Sequence, residues 1–143
     1  MVNGKILPRV RSMSMNNWFG GSQWNPGWRM YTKLGDLVDP GPAQTWVLLD
    51  EREDSINDGE FVVDMGGYPN DPQQFRIVDY PASYHNGAGG FSFADGHAEI
   101  KKWTDPRTTP ELRRNQPLRL NVTSRNNQDV LWMQIRSTRR IAR

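Results

Sequence analysis

Runs of apolar residues separated by turn-forming residues predict a β-sheet in the middle of the chain. Residues 45–49 contain a continuous apolar run, which is typical of a strand buried on both faces and therefore of the central strand of a sheet. Residues 60–65 and 74–80 are the next strand predictions along the chain. Between residues 90 and 103, apolar positions flank Asp95-Gly96, a dipeptide that favours the positive φ angles of a two-residue hairpin turn.

Helical signals are short and lie on either side of this region. Residues 33–39 predict a single helical turn, because the prolines at positions 40 and 42 exclude a longer helix. Residues 127–136 predict a short helix near the end of the chain, with Asn126 or Asn127 as its N-cap. The predicted secondary structure is therefore mainly β.

The order of these elements predicts the fold class. Consecutive strands joined by short turns favour an antiparallel meander, and residues 118–122 add at most an edge strand. We therefore predict an α+β fold, mainly β, with a meander of four to five strands, long loops and a short C-terminal helix. A length of 143 residues with 36% apolar content favours a single domain. Its predicted parts are an aromatic loop region (1–32), a sheet core (43–103) and a basic C-terminal extension (104–143).

The net charge of +2 conceals a strong asymmetry along the chain. Residues 1–106 hold 9 basic and 14 acidic side chains, whereas residues 107–143 hold nine arginines against two acidic side chains. No lysine-arginine block is present, so nucleic acid is not a predicted partner. We expect the tail to lie against its own acidic body or against a neighbouring subunit. The absence of cysteine excludes disulfides, thiolate metal sites and a cysteine nucleophile.

A dense run of carboxylates follows the predicted central strand. Seven acidic side chains stand between positions 50 and 64, against the single base Arg52. Oxygen-rich clusters of this kind suit a hard cation, so the sequence predicts a calcium site, although the spacing differs from that of an EF-hand loop. The predicted calcium ligands are Asp50, Glu51, Asp54, Asn57 and Asp58. The alternative is a solvated acidic loop that pairs with the arginine-rich tail.

His85 and the carboxylates near it are the candidates for hydrogen bonding or catalysis. His85 is placed to donate a hydrogen bond to Asp50 or Glu51, and this structural role is the primary interpretation. If the protein is an enzyme, the predicted catalytic residues are Glu51, Asp95 and His85. Glycoside hydrolysis needs two carboxyl groups flanking the bond, which Glu51 would supply together with Asp50 or Asp95. A zinc site at His85 is the remaining alternative, with these carboxylates or His97 as further ligands.

Aromatic residues are concentrated between positions 11 and 32, among Gly, Asn, Ser and Gln. On an exposed loop, the rings of Trp18, Trp24 and Trp28 would form a platform for sugar rings or for a protein partner. The alternative is that these rings fold inward as a lid over one face of the sheet. The first arrangement predicts a sugar-binding module, and the second predicts core packing.

The spacing around the predicted hairpin also resembles that of a known family. His85 is followed after nine residues by Asp95-Gly96, which is similar to the signature of the prepilin-type processing-associated domain of pseudopilin-like proteins from planctomycete and verrucomicrobial bacteria. Further segments that resemble the family lie at residues 11–16, 46–51, 54–59, 79–85 and 130–134. The resemblance covers most of the chain from about residue 10 to residue 140.

The resemblance implies a structural protein of the cell envelope or the extracellular space, which acts through protein partners or self-assembly. Family members begin with a cleavable leader and a long hydrophobic helix, whereas residues 1–10 lack such a run and no segment is long enough to span a bilayer. We therefore expect the sheet to pack on a helix that is absent from this chain, and any membrane contact to occur through that helix. The sheet face left bare should be apolar.

The leading hypothesis is therefore a non-catalytic assembly domain. The competing hypotheses are a small carbohydrate-active hydrolase, with or without a metal, and a sugar-binding module that uses the aromatic loop. No phosphate-binding loop, dinucleotide fingerprint or nucleophile elbow in the sequence indicates another enzyme class.

Overall fold

The computed structural model describes residues 12–113 and 116–142, which form two sheets and one α-helix. The strands are β1 (Met13–Asn16), β2 (Trp46–Asp50), β3 (Glu60–Phe61), β4 (Arg76–Ile77), β5 (Ala88–Phe93), β6 (Ala98–Lys102) and β7 (Val122–Thr123). The helix α1 spans Gln128–Ile135, and short 3-10 turns lie at Leu34–Asp36, Pro42–Gln44 and Pro72–Gln74. The predicted α+β class, mainly β, is confirmed. The first part of the predicted aromatic loop region (1–11) lies outside the described residues.

The main sheet has five strands in the order β3-β1-β2-β5-β6, so β2 is central as predicted. β1 pairs with β3 in parallel, and the other neighbouring strands are antiparallel. The predicted meander is therefore wrong in its connectivity. β1 comes from a segment predicted as a loop and lies between β2 and β3, while β4 pairs with β7 in a separate sheet. Both differences arise from pairing between distant segments, which local strand propensity does not encode.

β2 is covered on one face only. Leu49 is fully buried, whereas Leu48, on the opposite face, is 37% exposed. The predicted burial of this strand on both faces is therefore wrong. A continuous apolar run is typical of a strand between two layers, but the described residues cover β2 on its inner face alone.

The inner face of the main sheet packs against the aromatic segment and α1. Leu49, Phe91 and Phe93 join Trp18 and Trp46 in one buried cluster. The indole N–H of Trp46 donates to Ser137 Oγ at 2.9 Å, so the residues after α1 also contact this core. Aromatic rings dominate the cluster because each one buries a large apolar area.

The helix α1 begins at the predicted cap and connects the two cores. The side chain of Asn127 accepts hydrogen bonds from the backbone N–H groups of Asp129 and Val130, as expected for an N-cap. Met133 belongs to the main cluster, whereas Val130 belongs to a second cluster with Phe75, Ile77 and Tyr80 beside the small sheet. No helix in the described ranges is long and apolar enough to cross a membrane.

The hairpin between β5 and β6 is confirmed, but its turn has three residues instead of two. The N–H of Gly96 donates to Phe93 O at 3.0 Å, and the N–H of Phe93 donates to His97 O at 2.9 Å. Gly96 has φ of +94°, whereas Asp95 is not among the residues with positive φ. The two-residue turn favoured by Asp-Gly needs positive φ at both positions, so a turn followed by one left-handed residue forms instead.

Gly96→Ala should lower the free energy of unfolding by about 1–2 kcal/mol, because an alanine is strained in the left-handed region. A Cβ at this position meets no atom within 4 Å, so the loss reports the backbone alone. The control is Gly41→Ala, where space is also open but φ is −67°, and this variant should be neutral or stabilising. Urea unfolding followed by tryptophan fluorescence measures both. Equal losses would contradict the assignment of strain to Gly96.

Candidate functional site

The end of β2 carries two acidic residues with different surroundings. Glu51 is only 1% exposed, and its carboxylate accepts hydrogen bonds from the hydroxyls of Ser14 and Ser55. The Ser55 hydroxyl in turn accepts from the backbone N–H of Tyr80 at 2.8 Å. A buried carboxylate needs such donors to offset the loss of hydration. Glu51 therefore ties β1 to the loops after β2 and β4.

Asp50 lies on the other face of β2 and contacts His85. The distance from Asp50 Oδ2 to His85 Nε2 is 3.6 Å, and the side chains are 23% and 57% exposed. The backbone N–H of Gly90 also donates to Asp50 Oδ2, at 3.3 Å. The structure thus places His85 next to the carboxylate that the sequence analysis names as one of its two partners.

Arg52 and Asp54 form a buried ion pair inside the acidic run. The guanidinium of Arg52 donates to both carboxylate oxygens of Asp54, at 2.5 and 2.9 Å, and both side chains are buried. The remaining N–H groups of Arg52 donate to the backbone carbonyls of Pro110 and Glu111, and the N–H of Arg113 donates to Asp54. The bidentate geometry is the strong form of this interaction. The acidic run is therefore joined to the C-terminal extension through the backbone of that extension.

The predicted calcium ligands do not converge on one point. Glu51 and Asp54 are engaged as described, Asp58 accepts from the N–H of Glu60 at 2.8 Å, and Asn57 is exposed. Within the described residues, no group of three or more acidic or histidine side chains is arranged to hold a metal ion. Calcium binding stays a prediction.

Asp95 has a local role in the hairpin turn. Its carboxylate contacts His97 Nδ1 at 2.5 Å, while His97 Nε2 lies 3.0 Å from Glu99 and the imidazole stacks on Phe93 at 4.4 Å. The hydrogen bonds that His97 donates to Glu99 and Asp95 raise the pKa of His97, and the one to Asp95 lowers the pKa of Asp95. This cluster is absent from the residues predicted for a site. Its signal in the sequence is the alternation along β6, which places residues 97 and 99 on the same side of the strand.

Glu51 and Asp95 lie near opposite ends of β2. The turn with Asp95 follows Phe93, which pairs with the first residue of β2, Trp46, whereas Glu51 follows the last residue of that strand. Five residues of extended chain span roughly 16 Å. Paired carboxyl groups in glycoside hydrolases are about 5–10 Å apart. The structure therefore does not bring Glu51 and Asp95 together, whereas Glu51 and Asp50, the other predicted pair, are neighbours in the chain on opposite faces of β2.

Two of the three tryptophans of the predicted platform are in the core. Trp18 is fully buried and Trp28 is 4% exposed, while Trp24 is 39% exposed. The indole N–H of Trp24 donates to Asp64 at 3.2 Å. The inward arrangement is therefore correct for Trp18 and Trp28, and a sugar platform of three rings is not formed.

The outer face of the main sheet carries a contiguous apolar surface. Met15, Leu48, Ser92 and Ala98 are paired in turn across β1, β2, β5 and β6, and residues that pair directly share a face. The next row contains Met13, Asp50, Gly90 and Ile100. Met13, Met15, Leu48 and Ile100 are 36%, 39%, 37% and 70% exposed. We call these two rows the open sheet face.

The apolar face predicted from the sequence is present, but two of its residues come from a segment predicted as a loop. Met13 and Met15 alternate with the polar Ser14, a pattern too short to predict a strand among the glycines and asparagines that follow. Once β1 is recognised, the pairing of Met15 with Leu48 follows from the sheet. The large side chains of this surface have no role in either core cluster.

No protein-family model matches this chain, and no curated protein or solved structure is significantly similar to it. The resemblance to the prepilin-type processing-associated domain therefore stays a prediction.

Proposed function

We propose that this protein is a non-catalytic structural domain that functions by assembly with protein partners, through its open sheet face. The single observation that carries the proposal is the exposure of Met13, Met15, Leu48 and Ile100 on one continuous surface. Contiguous apolar patches on soluble proteins commonly mark interaction sites. The family resemblance supports the same class of function, and with it a location in the cell envelope or outside the cell.

The shape and composition of the open sheet face suit a packed protein interface. Gly90, Ser92 and Ala98 are small and form a shallow strip, and the larger Leu48 and Ile100 stand on either side of it. Full burial of each large side chain is worth about 1.5–3 kcal/mol. Because these four side chains are only 36–70% exposed, an interface here gains part of that amount from each, toward an entropic cost of association of about 4–15 kcal/mol.

The described carboxylates support this proposal more than a hydrolase. Glu51 and Asp54 are buried among protein donors, and Asp95 is bound to His97. Each group stabilises a loop or turn, and the separation of Glu51 from Asp95 does not suit acid–base catalysis across one glycosidic bond. We accordingly propose protein partners or self-assembly, with no small-molecule substrate.

Leu48→Asp should remove the apolar interaction surface and leave the fold intact. Leu48 projects from the outer face, so its replacement should change the free energy of unfolding by no more than about 1 kcal/mol. Binding of an apolar fluorescent dye such as anilinonaphthalene sulfonate should fall several-fold. Leu112→Asp is the matched control, because Leu112 has a similar exposure of 36% but is not on the sheet.

Two outcomes would count against the proposal. The first is equal dye binding by Leu48→Asp and Leu112→Asp, which would mean that the open sheet face is not the apolar surface. The second is hydrolysis of a glycoside by the purified protein that is lost in both Glu51→Gln and Asp95→Asn while circular dichroism shows a native fold.

A further inference from the structure

A second apolar surface lies on the other side of the molecule. Of the ten large hydrophobic side chains exposed among the described residues, four are on the open sheet face, and three others, Leu34, Val38 and Ile141, lie at or beside one groove. The groove has a volume of about 470 Å³. It is lined by Arg29, Met30, Tyr31, Gly35, Asp36, Val38 and Ile141. We call it the tail groove.

The tail groove belongs to the layer that covers the inner face of the main sheet. Tyr31 is 2% exposed and packs in the main core cluster, so the floor of the groove rests on that core. One wall is residues 139–141, which pair with residues 27–29 through hydrogen bonds from Ile141 N–H to Gly27 O and from Arg29 N–H to Arg139 O, both 2.9 Å. The open sheet face and the tail groove are therefore on opposite layers of the fold.

The two surfaces carry opposite charges within their apolar surroundings. Arg29 forms no ion pair within residues 12–113 and 116–142, whereas Arg139 pairs with Asp39 at 3.3 Å. The carboxylate of Asp36 accepts hydrogen bonds from Thr32 and Lys33 and is directed into its own turn. Arg29 is therefore the charge that the groove offers to a partner.

The open sheet face offers carboxylates instead. Asp50 lies in the same row as Ile100 and stays 23% exposed beside His85, and Glu60 lies at the edge of the face, where its carboxylate accepts from Ser22. Contact between two open sheet faces would bring these like charges toward each other, which disfavours association. A cation inside an apolar groove complements Asp50 better than a second open sheet face does.

We propose that the chain associates head to tail, with the open sheet face of one copy on the tail groove of the next and Asp50 facing Arg29. This inference rests on the proposed function and names the partner of the open sheet face as a second copy of the chain. The interface joins two different surfaces, so a dimer leaves one tail groove free at one end and one open sheet face free at the other, and further copies can add at both ends. The basic C-terminal extension of one copy thereby meets the acidic body of its neighbour.

Two variants, each with one of the two surfaces blocked, test whether the open sheet face binds the tail groove. Leu48→Asp blocks the open sheet face, and Val38→Asp blocks the tail groove, where Val38 is 74% exposed. In sedimentation velocity, the wild-type chain should form larger species as concentration rises. Each variant alone should remain monomeric, with at least a tenfold higher dissociation constant. An equimolar mixture of the two should form dimers and stop there, because one open sheet face and one tail groove remain available.

Charge reversal tests the predicted ion pair. Arg29→Asp and Asp50→Arg should each weaken association at least fivefold, and the two changes in one chain should restore it. Leu112→Asp is the control for an added charge elsewhere on the surface and should associate as the wild type does. Circular dichroism of every variant establishes that the fold is kept.

The outcomes separate this inference from the proposed function. Loss of association in Leu48→Asp with none in Val38→Asp would overturn the head-to-tail arrangement and leave the open sheet face as an interaction surface. A monomeric mixture of the blocked variants, or a wild-type chain that stays monomeric at all concentrations, would also overturn it. Failure of the proposed function itself is read from the dye experiment, which does not require self-association.

Discussion

Asp129→Ala should lower the free energy of unfolding by about 3–5 kcal/mol, since it removes the acceptor from several buried donors. Asp129 is fully buried at the start of α1, and its carboxylate accepts from the backbone N–H groups of Thr104 and Asp105. The Thr108 hydroxyl and the Lys101 ammonium donate to it as well, at 2.9 and 3.2 Å. Burial alone would raise the pKa of Asp129, but these hydrogen bonds hold it below its ordinary value.

Urea unfolding followed by circular dichroism measures this loss. The matched control is Asp105→Ala, which keeps the backbone N–H of residue 105 that donates to Asp129. It removes the ion pair between Asp105 and Arg107, and the Arg107 side chain is 49% exposed. Exposed pairs contribute about 0–1 kcal/mol, so the control should lose far less. If the two variants are equally destabilised, Asp129 is not the connection between α1 and the segment after β6.

Asp79→Asn should remove most of a pH dependence that the wild-type protein shows between about pH 4 and pH 6. Burial raises the pKa of Asp79 to about 6, with a further contribution from Asp58 and Glu60, although the N–H of Val62 donates to its carboxylate at 2.7 Å. The folded protein therefore holds this proton more tightly than the unfolded chain does. Wild-type stability should fall as pH rises through this window, by up to about 3 kcal/mol from this group.

The asparagine variant should be more stable than the wild type at pH 7 and should differ little from it at pH 4. Its amide oxygen can still accept from Val62, so the change removes the buried charge and keeps the hydrogen bond. Unfolding by urea at five pH values from 4 to 8 gives the difference curve. Asp36→Asn is a control of opposite sign, because hydrogen bonds from Thr32 and Lys33 lower the pKa of Asp36. Parallel curves for Asp79→Asn and the wild type would refute this account.

Locally encoded features are the ones that the sequence predicts well. The hairpin at Asp95-Gly96 and the N-cap Asn127 each depend on a few neighbouring residues, and each is present. A turn residue or a cap acts through its own backbone and that of its neighbours. Even here the length of the hairpin turn differs, because it also depends on the twist of the paired strands.

Features that depend on distant pairing are missed. β1 has only four residues, and its parallel contact with β3 and antiparallel contact with β2 have no local signature. The same limit applies to the site: His85 lies beside Asp50, one of its two predicted partners, but Ser14, which donates to Glu51, comes from a segment 37 positions earlier. From the sequence, Asp129 is only an acidic residue in the first turn of a predicted helix. The groups that donate hydrogen bonds to its carboxylate lie more than 20 residues earlier in the chain.

The contact between Trp46 and Ser137 has a consequence for synthesis of the protein in the cell. The backbone N–H of Trp46 donates to Arg136 O, and its indole N–H donates to Ser137, which lies 91 positions further along the chain. At about 5–20 residues per second, a ribosome needs roughly 5–20 s to add that stretch. During this delay the indole of Trp46 can contact Phe61 and Phe91 but lacks its hydrogen-bond partner. The central strand is therefore incompletely packed until residues 136 and 137 have been made, and chaperones can bind it in that interval.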